Sequence, residues 1–164
     1  MTFSLSDCIV ETKKDNVILC DIDGTIANID HRRPHVMGKK KDFKTFNALQ
    51  YKDTLIESTV RVLEAITIRE GLQLLYVSGR SEEYRGLTER WLFDNLRDRK
   101  LLHTGLLMRP EGDYRCDAEV KEEIYLTKIK PRYKVFMVFD DRNKVVDMWR
   151  KHGLVCHQVA DGNF

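Results

Sequence analysis

The chain contains little proline, few cysteines and no long apolar run, and each shortage excludes a class of protein. Only 3 of its 164 residues are proline, and 42% are hydrophobic, which excludes a disordered or collagen-like chain. The four cysteines, Cys8, Cys20, Cys116 and Cys156, form no C-x-x-C pair, so neither a zinc site nor a disulfide framework is expected. No segment resembles a signal peptide or membrane anchor. We therefore expect a soluble, cytoplasmic globular domain.

The chain also lacks a strong overall charge, because 28 basic residues oppose 26 acidic ones and leave a net charge of +2. Segment 30–44 is the exception, with six basic and two acidic residues and hence a local charge of +4. A basic surface attracts polyanions, although runs of lysine are also common in solvated loops. The role of this segment is left open.

Five apolar runs predict the strands of a parallel sheet. Runs 17–20, 72–77 and 135–139 are continuous, as in strands that are buried on both faces, and runs 106–108 and 154–159 are weaker. Four segments with helical spacing of apolar residues accompany them. These residues are Ile56, Val60, Leu63 and Ile66 or Thr67; Leu87, Trp91, Leu92 and Leu96; Val120, Ile124 and Ile129; and Val145, Met148 and Trp149. The alternation predicts an α/β fold with helices on both faces of a five-stranded parallel sheet.

Residues 1–164 are predicted to form one domain, since this length suits a single hydrophobic core. Segment 26–54 interrupts the alternation after the first strand and is interpreted as a small cap or a substrate-contacting insert. Phe43, Phe46 and Tyr51 in this segment could stack on a nucleic-acid base, but the core face of a short helix is the favoured interpretation.

Polar clusters follow the three strongest strands. They begin with Asp21, Ser78 and Asp140 and have the sequences DIDGT, SGR and DDR. Because ligands of open α/β sheets bind at the carboxyl ends of the strands, we expect the three clusters to form one site.

Asp21 and Asp23 are suited to covalent phosphate chemistry. In an extended chain, side chains two residues apart leave from the same side. One carboxylate could attack a phosphate ester while the other transfers protons. A turn with two exposed aspartates is the alternative for such a motif in isolation.

The other clusters strengthen the catalytic interpretation. Asp140 and Asp141 add oxygen ligands, and gathered carboxylates repel one another unless a cation joins them. Magnesium suits such ligands together with a substrate phosphate. Ser78, the backbone of Gly79 and Lys121 could stabilise phosphoryl oxygens.

Together, the residues Asp21 to Thr25, Ser78, Lys121 and Asp140-Asp141 resemble the four motifs of the haloacid dehalogenase (HAD) superfamily of phosphohydrolases. More narrowly, GDYRCDAEVKEEIY, FDDRNKVVDMWRKHG and QVADGNF are similar to the 3′-phosphatase domain of phage polynucleotide kinase/phosphatases. The resemblance covers most of the chain from about residue 16 onward. It implies a HAD-like Rossmannoid three-layer sandwich and a bacterial or phage-infected cell.

The resemblance also implies roles for individual residues. Asp21 would be the nucleophile that becomes phosphoaspartate, and Asp23 the general acid and base. Magnesium would bind the Asp21 carboxylate, the Asp23 backbone carbonyl and Asp141, with Asp140 supporting the site. The residues implied to contact phosphate are Ser78, Gly79, Thr25 and Lys121, and those implied to contact substrate are Arg32, Arg80 and Asp117.

The predicted function is therefore a magnesium-dependent polynucleotide 3′-phosphatase that acts on nucleic-acid ends. The sequence contains no G-x-x-x-x-G-K-[ST] loop, so no kinase activity is expected of it. Segment 33–54 does not match the phage domain well, which leaves the substrate open. A 5′(3′)-nucleotidase acting on free nucleoside monophosphates is the main alternative, and a non-catalytic module that binds phosphorylated ends is another. Neither the choice between DNA and RNA nor the oligomeric state is predicted.

Overall fold

The computed structural model describes residues 15–99, 101 and 103–162. The strands are β1 Asp15–Cys20, β2 Ala27–Asn28, β3 Thr54–Leu55, β4 Gln73–Ser81, β5 His103–Arg109, β6 Tyr133–Asp140 and β7 Cys156–Gln158. The α-helices are α1 Phe43–Ala48, α2 Glu57–Glu70, α3 Arg85–Leu96, α4 Asp117–Ile124 and α5 Asn143–Lys151. Three 3-10 helices span Arg33–Val36, Leu49–Lys52 and Glu82–Tyr84, and a π-helix spans Tyr125–Ile129.

Five strands form a parallel sheet in the order β5-β4-β1-β6-β7, which confirms the predicted α/β fold. The central strand β1 is apolar and continuous because both of its faces are covered. Ile18 and Cys20 belong to one hydrophobic cluster with α2 and α3, while Val17 and Leu19 belong to another with α4 and α5. The strands therefore end together at one edge, where the polar clusters lie.

Three differences from the sequence predictions concern the sheet and its flanking helices. Strand β4 continues through the SGR cluster to Ser81 instead of ending at Val77. Helix α4 passes into the π-helix before Pro131. Leu87 was predicted to face the core but is 43% exposed. Thr88 occupies the inward position of α3 instead, because its hydroxyl donates to the side-chain oxygen Oε1 of the buried Gln50 at 2.7 Å.

A small cap follows β1, as predicted. The chain turns sharply at residues 22–27, and β2 then pairs antiparallel with β3 in a two-stranded ribbon. Residues 29–53, called the insert below, lie between these two strands and contain α1 and two of the 3-10 helices. The ribbon brings both ends of the insert beside the carboxyl end of β1.

Two sequence predictions are not resolved by this architecture. The assignment of all 164 residues to one domain stays a prediction, and Cys8 lies outside the described residues. Within the part of the chain that the structure describes, no helix has the length and apolar character needed to cross a membrane.

Candidate active site

The turn after β1 places two carboxylates at the edge of the sheet. Asp21 continues the direction of β1, with its backbone N–H donating to the Phe139 carbonyl at 3.0 Å. Gly24 has a φ of +86°, and a Cβ there would lie 2.0 Å from Oδ2 of Asp141. Any other residue at position 24 would therefore strain the turn and displace a carboxylate. The glycine of DIDGT lets the first and last predicted clusters approach each other.

Asp21, Lys121, Asp140 and Asp141 form a buried group that we call the Asp21 cluster. Lys121 reaches Oδ1 of Asp21 at 2.7 Å and Oδ2 of Asp140 at 2.9 Å, and it is 1% exposed. The hydroxyl of Thr25 donates to the other Asp21 oxygen at 3.1 Å. Helix α4 thus places the Lys121 ammonium between the ends of β1 and β6, which are far apart in sequence.

The Asp21 cluster contains more negative than positive charge. Burial, together with the neighbouring Asp140 and Asp141, raises the pKa of Asp21, although Lys121 opposes that shift. Burial and Asp140 raise the pKa of Asp141 to about 6. Both shifts show that full ionisation of these carboxyls is costly without a further cation.

This donor set fits a divalent cation. Oxygen atoms of Asp21, Asp140 and Asp141 lie within 4.8 Å of one another. Carboxylate oxygens are the ligands that Mg²⁺ prefers, and three carboxylates with one ammonium leave a charge of −2 for a metal to balance. Asp140 is already occupied, because its oxygens accept from Lys121, the Trp149 indole N–H and two backbone N–H groups. Asp21 and Asp141 are consequently the better candidates for direct ligands.

Asp23 lies in a second group, the Asp23 cluster, with Arg32, Arg80 and Asp53. Arg32 Nη2 donates to Oδ1 of Asp23 at 2.8 Å, and Arg80 donates to the same oxygen through Nε at 2.9 Å and through Nη2. Asp53, 4% exposed, accepts from Arg32 at 2.7 Å and from Arg80 at 2.8 Å. Two carboxylates and two guanidinium groups are therefore matched in charge.

This arrangement has the opposite electrostatic effect from the Asp21 cluster. Burial by itself raises the pKa of Asp23, but the combined charges and hydrogen bonds of Arg80 and Arg32 outweigh burial and lower it. Asp23 is thus held as a carboxylate. The described arginine bonds all go to Oδ1, and the side chain remains 22% exposed.

The other predicted phosphate-contacting residues lie at the same edge. Ser78 is 1% exposed, and its hydroxyl oxygen accepts from the Arg80 backbone N–H at 3.2 Å. A Cβ on Gly79 would lie 2.2 Å from Oδ1 of Asp117, so the strand and α4 meet closely there. Asp117 contacts three cations: Arg109 at 3.2 Å, Lys121 at 3.6 Å and Arg142 at 3.7 Å. Its surroundings suit a residue that positions cations more than one that binds an anionic substrate.

Sequence reasoning missed part of the Asp23 cluster. Asp53 and Gln50 come from the insert, where Gln50 accepts from Arg80 at 2.7 Å and Asp53 also accepts from His31. The sequence contains no specific signal for Asp53, which lies beyond the basic segment 30–44. Gln50 carries none, since its partners are known only after folding.

Two carboxyl groups with different surroundings, those of Asp21 and Asp23, thus lie together at the carboxyl edge of the sheet. Asp21 lies between a lysine and the candidate metal ligands, where a phosphate group would be neutralised. Asp23 is two residues further along the turn and is fixed by arginines. A nucleophile and a proton-transferring group so placed suit hydrolysis of a phosphate monoester.

Comparison with known proteins agrees with this chemistry. The family model of the polynucleotide kinase PNKP phosphatase domain matches residues 15–164. A chain in the solved Pnkp1/Rnl/Hen1 RNA repair complex has 34% sequence identity and a TM-score of 0.77, covering 94% of this chain and 45% of that one. A protein of Autographa californica nuclear polyhedrosis virus, "Putative bifunctional polynucleotide kinase/RNA ligase", is 27% identical over 143 residues, which are 86% of this chain and 19% of that protein. The chain therefore spans less than half of either relative.

A more distant likeness concerns the fold alone. The class C acid phosphatase from Bacillus anthracis has a TM-score of 0.57 at 14% identity, covering 80% of this chain and 54% of that one. The family match spans both acid clusters and the insert. The chain belongs to the polynucleotide kinase PNKP phosphatase domain family, and it is a phosphatase of the HAD superfamily.

Proposed function

We propose that this protein is a magnesium-dependent polynucleotide 3′-phosphatase that acts through a phosphoaspartate intermediate. The observation that carries the proposal is the division of the site into two acids with opposite surroundings. Asp21 lies against Lys121 and two further carboxylates, whereas Asp23 is held by two arginines.

In the first step, an Asp21 oxygen attacks the phosphorus and the bond from phosphorus to the 3′ oxygen breaks. Asp23 takes up the proton of the substrate's monoanionic phosphate and passes it to that 3′ oxygen, which leaves as a hydroxyl. Oδ2 is the Asp23 oxygen proposed to carry this proton, because the arginines occupy Oδ1. Lys121 and the Ser78 hydroxyl contact phosphoryl oxygens and stabilise their charge.

In the second step, water attacks the phosphorus of phosphoaspartate and the bond to the Asp21 oxygen breaks. Asp23, now a carboxylate, takes a proton from the water. Arg32 and Arg80 favour this form of Asp23, since they lower its pKa. The products are inorganic phosphate and the regenerated aspartate.

Magnesium would be held by Asp21, Asp141 and the backbone carbonyl of Asp23, with Asp140 fixed behind them by Trp149 and Lys121. Its contribution would be to neutralise the phosphoryl oxygens and the excess negative charge of the Asp21 cluster.

The small size of the elements around the site supports a polymer end as substrate. Between Arg80 and Lys121 the described residues form a 3-10 helix, α3, β5 and the first turn of α4, which leaves no room for an inserted cap domain. The insert after β1 is small and closed by a two-residue ribbon. The names of the two relatives, an RNA repair complex and an RNA ligase, favour RNA as the polymer.

The test is phosphate release from matched substrates. A 3′-phosphorylated oligoribonucleotide, its 5′-phosphorylated isomer, the DNA equivalents and free 3′- and 5′-mononucleotides are compared with magnesium and with EDTA. We expect the 3′-phosphorylated oligoribonucleotide to be hydrolysed fastest, only with magnesium, and not by Asp21→Asn. Faster turnover of a mononucleotide would replace the proposal with a nucleotidase. Tight binding of ends without any release would indicate a binding module.

A further inference from the structure

The outer surface of the insert combines lysines with exposed aromatic rings. We call this surface the platform; it consists of Lys39, Lys40, Lys41, Phe43, Lys44, Tyr51 and Lys52. Phe43 is 56% exposed and Tyr51 61%. The ammonium of Lys41 lies 5.9 Å from the Phe43 ring centroid, and that of Lys52 lies 5.6 Å from the Tyr51 ring centroid. The favoured core assignment of these two rings is therefore wrong.

Phe46 shows why these two rings remain outside. Its ring packs under the Arg32 guanidinium at 4.2 Å, and Gln50 on the following 3-10 helix hydrogen bonds to Arg80. The inner face of the insert is thus occupied by Phe46 and Gln50, which leaves Phe43 and Tyr51 in solvent. The same two short helices therefore carry both the exposed rings of the platform and the residues that contact the arginines of the Asp23 cluster.

The platform is strongly positive. It contains five lysines, and the exposed Asp42 between Lys41 and Phe43 caps α1 by accepting from the Thr45 backbone N–H at 2.9 Å. Exposed lysines attract phosphates, and exposed aromatic rings stack on bases without reading their identity. Single-stranded nucleic acid presents both groups along one strand, whereas an acidic peptide offers only the charge.

We propose that the platform binds the single-stranded segment adjoining the phosphorylated 3′ end, with its lysines on the backbone phosphates and Phe43 and Tyr51 on the bases. This inference rests on the proposed function and assigns a binding surface to the strand that carries the 3′ phosphate. The contacts of Phe46 and Gln50 with the arginines fix the distance between the bound strand and Asp23.

The chain offers matched controls for both kinds of contact. Phe93 is also 56% exposed and lies beside a cation, with the Arg97 guanidinium 5.7 Å from its ring centroid. It is near the end of α3, which begins at the carboxyl edge and runs away from it. Lys134, early in β6, and Lys151, at the end of α5, are exposed lysines near the opposite edge.

Binding is measured in the Asp21→Asn background by fluorescence anisotropy with a short 3′-phosphorylated single-stranded oligoribonucleotide. Replacing both Phe43 and Tyr51 by Ala should raise Kd at least about thirtyfold, through the loss of two base stacks. Phe93→Ala should change Kd less than about twofold, because nothing stacks there. The Kd for an abasic strand should be the same for the Phe43/Tyr51 variant and its parent, because that strand has no bases to stack on the rings.

The contribution of the lysines is tested by measuring how Kd depends on salt concentration. Replacing both Lys40 and Lys41 by Ala should reduce the slope of log Kd against log salt concentration by about 1.4, at about 0.7 for each phosphate contact on a single strand. The matched Lys134 and Lys151 double variant should keep the wild-type slope. Equal effects of platform and control variants would overturn the proposal, and so would binding that neither pair changes.

A kinetic measurement separates this inference from the proposed function. The ratio of kcat/KM for the 3′-phosphorylated oligomer to that for the nucleoside 3′-monophosphate should fall at least about thirtyfold in the Phe43/Tyr51 variant. An unchanged ratio would reject the platform while leaving the 3′-phosphatase assignment intact. A wild-type protein that releases no 3′-phosphate would reject the assignment, and the anisotropy series would still decide on the platform.

Discussion

Asp21 and Asp23 leave the same turn, yet their carboxyls lie in opposite surroundings. The Asp21 cluster contains one lysine and three buried carboxylates, and the pKa of Asp21 is raised. In the Asp23 cluster two arginines donate hydrogen bonds to two carboxylates, and the pKa of Asp23 is lowered. The balance of neighbouring cations, and not position on the turn, determines how each acid titrates.

The difference originates in the elements that supply the cations. Lys121 comes from α4, which packs on the sheet as part of the core. Arg32 and Asp53 come from the insert, and Arg80 from the extended end of β4. The Asp21 cluster therefore lacks a cation that a metal can supply, whereas the Asp23 cluster is complete within the protein.

Replacing each acid in turn should give the largest effects and separate their roles. We expect Asp21→Asn to lower phosphate release at least about a thousandfold. With p-nitrophenyl phosphate, Asp23→Asn should still release a burst of nitrophenol, because this leaving group needs no proton, and then turn over slowly. Stopped-flow absorbance measures the burst. A burst from Asp21→Asn would contradict its assignment as nucleophile.

Breaking the Asp23 cluster should destabilise the fold. Asp53→Ala leaves two buried guanidinium groups short of a carboxylate, which costs about 3–5 kcal/mol for a buried ion pair. Urea unfolding measures the loss. The control is Asp94→Ala, whose pair with Arg90 is exposed and should be worth less than about 1 kcal/mol. Equal losses in the two variants would show that Asp53 does not hold the cluster.

Removing a carboxylate charge from the Asp21 cluster should instead stabilise the metal-free fold. Because the folded pKa of Asp141 is about 6 against a usual 3.8, the metal-free folded protein binds this proton more tightly than the unfolded chain. Stability should therefore rise as pH falls through about 6, and Asp141→Asn should stabilise the metal-free protein at pH 7.5 by about 1–3 kcal/mol.

Thermal melts in EDTA across pH measure this effect, with exposed Asp147→Asn on α5 as the control. Adding magnesium should raise the Tm of the wild type more than that of Asp141→Asn. An Asp141→Asn protein that is less stable than wild type in EDTA would mean that the carboxylate is not a source of repulsion.

The smallest effect concerns a single hydrogen bond to the nucleophile. Thr25→Val removes the hydroxyl that donates to Asp21 Oδ2 and should lower kcat about five- to tenfold, corresponding to about 1 kcal/mol. Thr127→Val, at an exposed hydroxyl that donates to the Glu123 carbonyl, is the control. A drop as large as that of Asp21→Asn would show that the hydroxyl has a further role.

The contrast between the clusters also explains what the sequence could predict. Asp21, Ser78 and Asp140 each follow an apolar strand, and parallel strands bring their carboxyl ends together, so their convergence follows from topology. Lys121 was a weak candidate from its position near a helix start and was strengthened by family resemblance, because helical spacing does not say where a lysine tip reaches.

The insert was the harder part. Its aromatic residues have helical spacing, but spacing cannot tell which face packs when the packing partners are arginines instead of apolar side chains. Phe46 packs on Arg32, and Thr88 replaces Leu87 as the inward residue of α3 because it bonds to Gln50. Both choices depend on a buried polar network that exists only in the folded chain.

The two-stranded ribbon of β2 and β3 has an evolutionary consequence. It closes the insert at its base, so the segment between Asn28 and Thr54 can lengthen or be exchanged without shifting the sheet, at about 0.6 kcal/mol for each doubling of loop length. Any replacement must still supply the equivalents of Arg32 and Asp53. Substrate preference can therefore diverge in this module under one fixed chemical constraint.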